Sequence, residues 1–399
     1  MTSRVATPVD DIRAGVRASV GDVAVARTLP AEAYTSPAFF DFEREAVFRR
    51  SWLYLCHESQ VAHPGDHLAV EAAGEPLLVT RNEAGRINVL SAVCQHRGYV
   101  LPDGAGSGRH LRCPYHFWTY DLDGRLTSAP SMAPAHAVDE LRACIALPRL
   151  RSEVWHGMVF AHLDPDAAPL APTVERLGEV LAPYRIADMV VADTVTFDEL
   201  PFNWKNLLEN ALEEYHTTYV HKGFHENVPA HLVEHADYQP GEGAIHRLAG
   251  MVVKGGEPVP NRPTFPVIDG LPERERGYFV FAAIPPLCFL AVRPDGLKLL
   301  RVEPLAADRV RLEIAFLFPP STLEVPGFDA LMRRQLELVD LVDRPDIETN
   351  TRVYRGLRSQ FAPRGPYSPQ EASLPQLNQW LLERYLSAPV DAPVVREAL

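Results

Sequence analysis

The chain has 399 residues, 46% of them hydrophobic and 23% charged, enough apolar material for more than one buried core. A formal net charge of −13 argues against nucleic acid as a main partner, because phosphate binding calls for a basic face. No apolar run reaches the roughly 20 residues needed to cross a bilayer. No secretory pattern opens the chain, so a cytoplasmic protein without a membrane partner is expected.

In chain order, residues 1–40 read as a mobile arm and short lead-in, followed by a helix-like stretch from Phe40 to Phe48. Between Trp52 and His162 short β-runs alternate with turn signals, and the Asp123-Gly124 pair reads as a hairpin turn. Residues 165–183 form a Pro-rich, weakly patterned connection. Beyond it the pattern is α+β: a strand into a helix at 203–219, then several strands between Tyr278 and Phe318. A long amphipathic helix from Phe328 to Val342 resumes beyond Pro345.

Five cysteines, odd in number and widely spread, do not suggest a disulfide framework. Cys56, Cys144 and Cys288 lie in apolar or mixed runs and read as plain buried thiols. The other two stand in a pattern: Cys94 and His96, then Cys113 and His116, with sixteen residues between the pairs. Such a set can hold zinc or an iron–sulfur cluster. A zinc finger keeps its cysteines in one pair and its histidines, on a helix, in the other. Here each pair mixes the two types in β-rich surroundings, which suits a cluster with one iron held by thiolates and the other by imidazoles.

A second constellation follows. Glu213 and His216 are three apart and share a helix face. His216 and His221 are five apart, roughly 140° around a regular helix, so the helix must end or loosen for both to reach one metal. His221-Lys222-Gly223 reads as a helix end. Two histidines and a carboxylate make the facial triad of non-haem iron oxygenases. Two loose histidines at a helix end, and a solvated Glu213, are the competing readings.

The segments C-Q-H-R-G at 94–98, C-P-Y-H at 113–116 and W-T-Y-D-L-D-G-R-L at 118–126 resemble the Rieske signature. The run from Glu213 through His216 to His221, with Asn210 before it, resembles the mononuclear-iron motif of Rieske non-haem iron oxygenases. In that family an Asp on a C-terminal helix is the third iron ligand. The stretch L-V-D-L-V-D-R-P-D resembles that region and puts Asp346 at the position, with Asp340 and Asp343 as competitors and Pro345 where the family usually has an acid. The resemblance runs from about residue 40 to residue 385.

The resemblance implies an α+β chain: an N-terminal all-β Rieske [2Fe–2S] domain, then a helix-grip (START-like) catalytic domain with a curved antiparallel sheet. It divides the chain into an arm at 1–45, a cluster domain at 46–165 and a mononuclear iron domain at 166–399. It implies a [2Fe–2S] cluster on Cys94, His96, Cys113 and His116, and Fe(II) on His216, His221 and Asp346. It implies electrons from NAD(P)H through a separate reductase or ferredoxin, O2 as co-substrate, and a homotrimer. Glu213 would bridge His216 to His116 of the partner subunit, and a Glu there is similar to the branch acting on quaternary ammonium compounds.

The implied activity is that of a terminal oxygenase component, a monooxygenase or dioxygenase. It would hydroxylate or oxidatively N-demethylate a small substrate, with a quaternary amine favoured. An oxygenase for an aromatic acid or a specialised-metabolism intermediate is the alternative, and a non-enzymatic electron carrier or ligand-binding protein is a third reading. Trp52, Trp155 and the aromatics at 115–120 read as cluster-domain core. Phe224, Tyr278 and Phe289 are candidate pocket residues, whereas His110, His136, His225, His235 and His246 read as surface or loop.

Overall fold

A computed structural model describes residues 7–101, 104–221, 228–251 and 265–388. Lys222, Gly223, Phe224 and His225 lie outside the described residues. Two compact units emerge, one of Met1–Arg50, Ala171–Tyr184 and Ala192–Leu399, the other of Ser51–Leu170 and Arg185–Val191. A β-rich unit with one short α-helix and a unit of mixed helix and sheet match the expected fold class.

The smaller unit carries three sheets. A four-stranded sheet orders its strands Ile87–Ser91, Glu75–Arg81, Asp66–Ala72 and Ala105–Ser107; three-stranded sheets are built from His110–Arg112, Thr119–Asp121 and Leu126–Ser128, and from Leu53–His57, Met158–His162 and Arg151–Trp155. Gly124 turns the 119–128 hairpin at φ 85°, and a Cβ there would sit 3.1 Å from the Leu147 carbonyl oxygen and 3.2 Å from Leu90 Cδ2. Only glycine fits that turn without strain. Leu78, Leu90, Leu111, Trp118, Tyr120 and Leu126 form one buried cluster that includes Cys94 and Cys113.

The larger unit is a seven-stranded sheet in the order Val190–Leu200, Arg309–Phe318, Gly296–Ala306, Cys288–Arg293, Tyr278–Ile284, Ile245–Gly250 and Val233–His235. From the 309–318 strand to the 233–235 strand every pair is antiparallel. Register sets Arg247 opposite Phe281, Phe281 opposite Ala291 and Ala291 opposite Lys298, so these side chains form one row on one face. The helix expected to pause near Pro345 is continuous: Phe328–Leu338, a π-helical stretch Val339–Asp343, then Arg344–Leu357. Proline has no N–H to give the carbonyl four residues back, and the wider π turn absorbs that loss.

Four expectations need correction. The first forty residues hold two helices, Val9–Val16 with Ile12 and Val16 buried and the short Glu32–Thr35, and the helix expected to begin at Phe40 starts at Pro37, capped by the Ser36 hydroxyl accepting from Phe39 N at 3.2 Å. The 165–183 connection contains a helix, Glu175–Leu181, whose Leu177 and Leu181 are buried. Cys144 is exposed, because its run forms the last turn of a helix, Val138–Cys144, with no buried residue; Cys56 and Cys288 are buried. Tyr115 and Phe117 are 50% and 54% exposed and so are not core, unlike Trp52, Trp118 and Tyr120.

Candidate metal centres

The two loops of the smaller unit fold alike. In the first, Cys94 N donates to Tyr99 O at 2.9 Å and Gly98 N to Cys94 O at 3.0 Å; in the second, Cys113 N donates to Trp118 O at 2.8 Å and Phe117 N to Cys113 O at 2.9 Å. The fourth residue after each cysteine must take positive φ, 71° at Gly98 and 59° at Phe117. Glycine does so freely, whereas Phe117 is strained and is held there by the repeated hydrogen-bond pattern.

This pattern sets four ligand-type side chains together. Cys94 and Cys113 are each 2% exposed and their sulfurs are within hydrogen-bonding reach of each other. The His96 and His116 rings meet edge to face at 4.6 Å, and His96 stacks on Trp118 at 4.7 Å. Tyr120 Oη lies 3.3 Å from Cys94 Sγ and accepts from Gln95 N at 3.1 Å. His96 Nδ1 is buried and has no hydrogen-bond partner, the state of a nitrogen shaped for a ligand bond. Two thiols and two imidazoles so placed fit a cluster with chemically different irons.

In the larger unit the helix expected to span 203–219 stops early. Trp204–Leu212 is helical, with an Asn203–Asn206 capping box at its start. Glu213 then turns extended, at φ −124° and ψ 164°, and a short helix Thr217–Val220 follows. The break is what lets residues five apart converge, because His216 no longer lies on the helix surface of the preceding turns.

The three residues expected to share a metal do come together. His216 Nε2, His221 Nε2 and Asp346 Oδ1 lie 3.2, 3.0 and 3.4 Å apart pairwise. They form a group with one ligand atom each within 4.8 Å of the others. Asp346 Oδ1 is buried and accepts no hydrogen bond, so two imidazole nitrogens and an unsatisfied carboxylate oxygen face one point. That donor set fits a divalent iron. The competitors are engaged elsewhere: both oxygens of Asp343 accept from Lys298 Nζ, at 2.7 and 2.8 Å, and exposed Asp340 pairs with Arg344.

Glu213 is 8% exposed and bonds His216 twice, accepting from the backbone N at 3.1 Å and lying 2.5 Å from Nδ1. A carboxylate that takes the Nδ1 proton leaves the Nε2 lone pair to the metal point. The centre opens on a cavity of about 130 Å³ whose walls include Leu207, Phe281, Phe289, Leu300 and Leu312, with Arg247 and Lys298 as cations. A second recess of about 110 Å³ shares Phe281, Ala291, Lys298 and Val342 with it. Phe289 therefore lines the cavity as expected, and Tyr278 does not line either space.

Sequence reading missed the support behind Glu213. Buried Arg247 donates Nη1–H to Ala211 O at 3.1 Å, Nη2–H to Glu213 O at 3.2 Å and Nε–H to Glu214 Oε2 at 2.9 Å. Glu214 Oε1 is 3.0 Å from His235 Nε2, and His235 Nδ1 is 2.8 Å from Ser373 Oγ. His235 and buried His246 are thus strand residues of the unit rather than surface ones, while His110 and His136 are exposed. The Glu213-Glu214 doublet was the available signal, since one acid cannot serve both sides of the chain.

The family of ring hydroxylating alpha subunits (catalytic domain) matches residues 185–387, and the Rieske [2Fe-2S] domain family matches residues 51–147. The carnitine monooxygenase oxygenase subunit of Acinetobacter pittii is 32% identical over 223 residues, which is 54% of this chain and 58% of that protein. The chain thus spans little more than half the length of that relative. A crystal structure of the quaternary ammonium Rieske monooxygenase CntA superposes with a TM-score of 0.78 at 23% identity, covering 96% of this chain and all of the other. Naphthalene 1,2-dioxygenase from Rhodococcus sp. superposes at 0.79 with 22% identity, covering 95% and 99%. These two likenesses are of fold.

Proposed function

The chain belongs to the family of ring hydroxylating alpha subunits, and from that premise we propose that it is the terminal oxygenase component of a Rieske non-haem iron system acting on a small organic substrate. The observation that carries the reading is the convergence of His216, His221 and Asp346 on one point at the wall of a largely apolar cavity. Cys94, His96, Cys113 and His116 would hold the [2Fe–2S] cluster, and the three converging residues would hold the mononuclear iron. When bound, the cluster supplies electrons one at a time and the iron supplies open coordination positions for O2.

The chain's own residues do the rest. Glu213 fixes the tautomer and tilt of His216. Leu207, Phe281, Phe289, Leu300 and Leu312 keep water from the reacting side of the cavity and hold an apolar substrate body against the metal point. Electrons would come from a separate reductase. In a trimer, Glu213 would link His216 to His116 of the partner subunit.

A quaternary amine is the favoured substrate, supported by Glu213 and by the carnitine-acting relative. A second reading, an aromatic acid, is supported by the two cations in the cavity wall, Lys298 and Arg247, the latter with its guanidinium already covering the Phe281 face at 4.4 Å. That ring face is closed to a substrate ammonium. The test is a single turnover: protein reduced chemically is mixed with O2 and, separately, betaines or aromatic acids. Stoichiometric hydroxylated or N-demethylated product identifies the class; absence of product across both panels contradicts the proposal.

A further inference from the structure

The geometry points to Arg247 as a positioning residue that ends the Trp204–Leu212 helix and so builds the metal-binding loop. The inference rests on the reading of His216, His221 and Asp346 as the metal site. A helix leaves its last carbonyls without partners, and the usual remedy is a glycine in left-handed conformation just past the end. Here the residue past the end is Glu213 in extended conformation, so the chain leaves the helix axis without a local cap. The guanidinium of Arg247 takes that place from a strand 34 residues away in number, donating to Ala211 O and Glu213 O on successive sides of the break.

Two further anchors make the position unique. Glu214 Oε2 accepts the third donor of the same fork, and its other oxygen is held by His235, itself held by Ser373 at the start of the Ser373–Ser387 helix. With Glu214 turned inward, Glu213 faces the opposite way, onto His216. The Glu214 carbonyl then accepts from Thr217 N at 3.1 Å and Thr217 Oγ1 at 2.7 Å, which starts the short helix leading to His221. Arg247 therefore fixes both histidines without touching either. It is 3% exposed, and its ring partner Phe281 packs the guanidinium plane. Lysine cannot replace the fork, because one ammonium cannot reach two carbonyls and a carboxylate in those fixed directions.

The test uses the full chain stripped of the mononuclear metal, titrated with Co2+ and read by d–d absorbance, with the visible spectrum of the cluster recorded in parallel. Arg247→Lys is expected to bind Co2+ at least about ten-fold more weakly than wild type, the effect typical of lost support behind a ligand, with the cluster spectrum unchanged. A folded R247K protein that binds Co2+ as wild type does overturns the inference. If R247K does not fold, Glu214→Gln makes the same discrimination, weaker Co2+ binding supporting the clamp and wild-type affinity overturning it. Co2+ uptake by His221→Ala equal to that of the wild type would instead refute the reading of the metal site.

Discussion

The helix that delivers Glu213 is anchored at its other end by a fully buried ion pair, and breaking that pair gives a sharp test of how the larger unit is held. Lys205 and Glu43 are both 0% exposed; Lys205 Nζ donates to both Glu43 oxygens at 2.8 Å. Tyr385 Oη donates to the same carboxylate at 2.5 Å and Trp204 Nε1 at 3.3 Å, so one acid joins three helices. Burial pulls the Lys205 pKa down and Glu43 pushes it back up. Glu43→Gln keeps the volume and removes the charge, leaving a buried ammonium without its partner, at a cost of about 3 kcal/mol. Hydrogen exchange read by mass spectrometry on peptides covering 37–46, 204–212 and 373–387 should then speed up about 150-fold, the factor that 3 kcal/mol implies. The pH dependence has a fixed sign. In the variant, the folded pKa of Lys205 falls further below its unfolded value, so the folded state binds fewer protons and the penalty shrinks as pH rises. Replacing both partners, as Glu43→Leu with Lys205→Met, should recover most of the loss. Exchange within threefold of wild type in the single variant, or a penalty that grows with pH, would refute the reasoning.

Other consequences are as specific. Tyr120→Phe removes the hydroxyl beside Cys94 Sγ and should lower the cluster midpoint potential by about 40 mV, the equivalent of one hydrogen bond of about 1 kcal/mol; an unchanged potential by voltammetry would show that the hydroxyl does not reach the cluster. Burial holds buried His57 at a pKa of about 4, below its ordinary 6.5. Its neutral folded form contributes stability that is present above pH 6.5 and lost as pH falls towards 4. Wild type should therefore lose about 2 kcal/mol between pH 7 and pH 5 that His57→Gln does not lose, and equal slopes in thermal melts would remove this account. Asp346→Ala should lose the mononuclear metal while Asp340→Ala keeps it, as metal analysis will show; the reverse would reassign the ligand.

Much of the candidate cluster site was legible because its proposed ligands are short-range: two Cys–His pairs at fixed spacing carry their chemistry in the sequence itself. Asp346 was legible only as one of three aspartates. Its rivals are engaged by partners, Lys298 and Arg344, that come from tertiary structure in the first case and from the helix surface in the second. The break at Glu213 was not legible, because the leucine periodicity runs to Leu212 and the cap that ends it, Arg247, arrives from a distant strand. Cys144 misled for a related reason: a short apolar run has the same composition on an exposed helix end as on a buried strand.

The most direct test of the two-centre account is a metal and sulfide count on purified protein, repeated on His221→Ala. The account predicts three irons and two acid-labile sulfides per wild-type chain, and two irons with both sulfides and the cluster's EPR signal intact in the variant. Zinc in place of iron, or a variant that keeps all three irons, would contradict it.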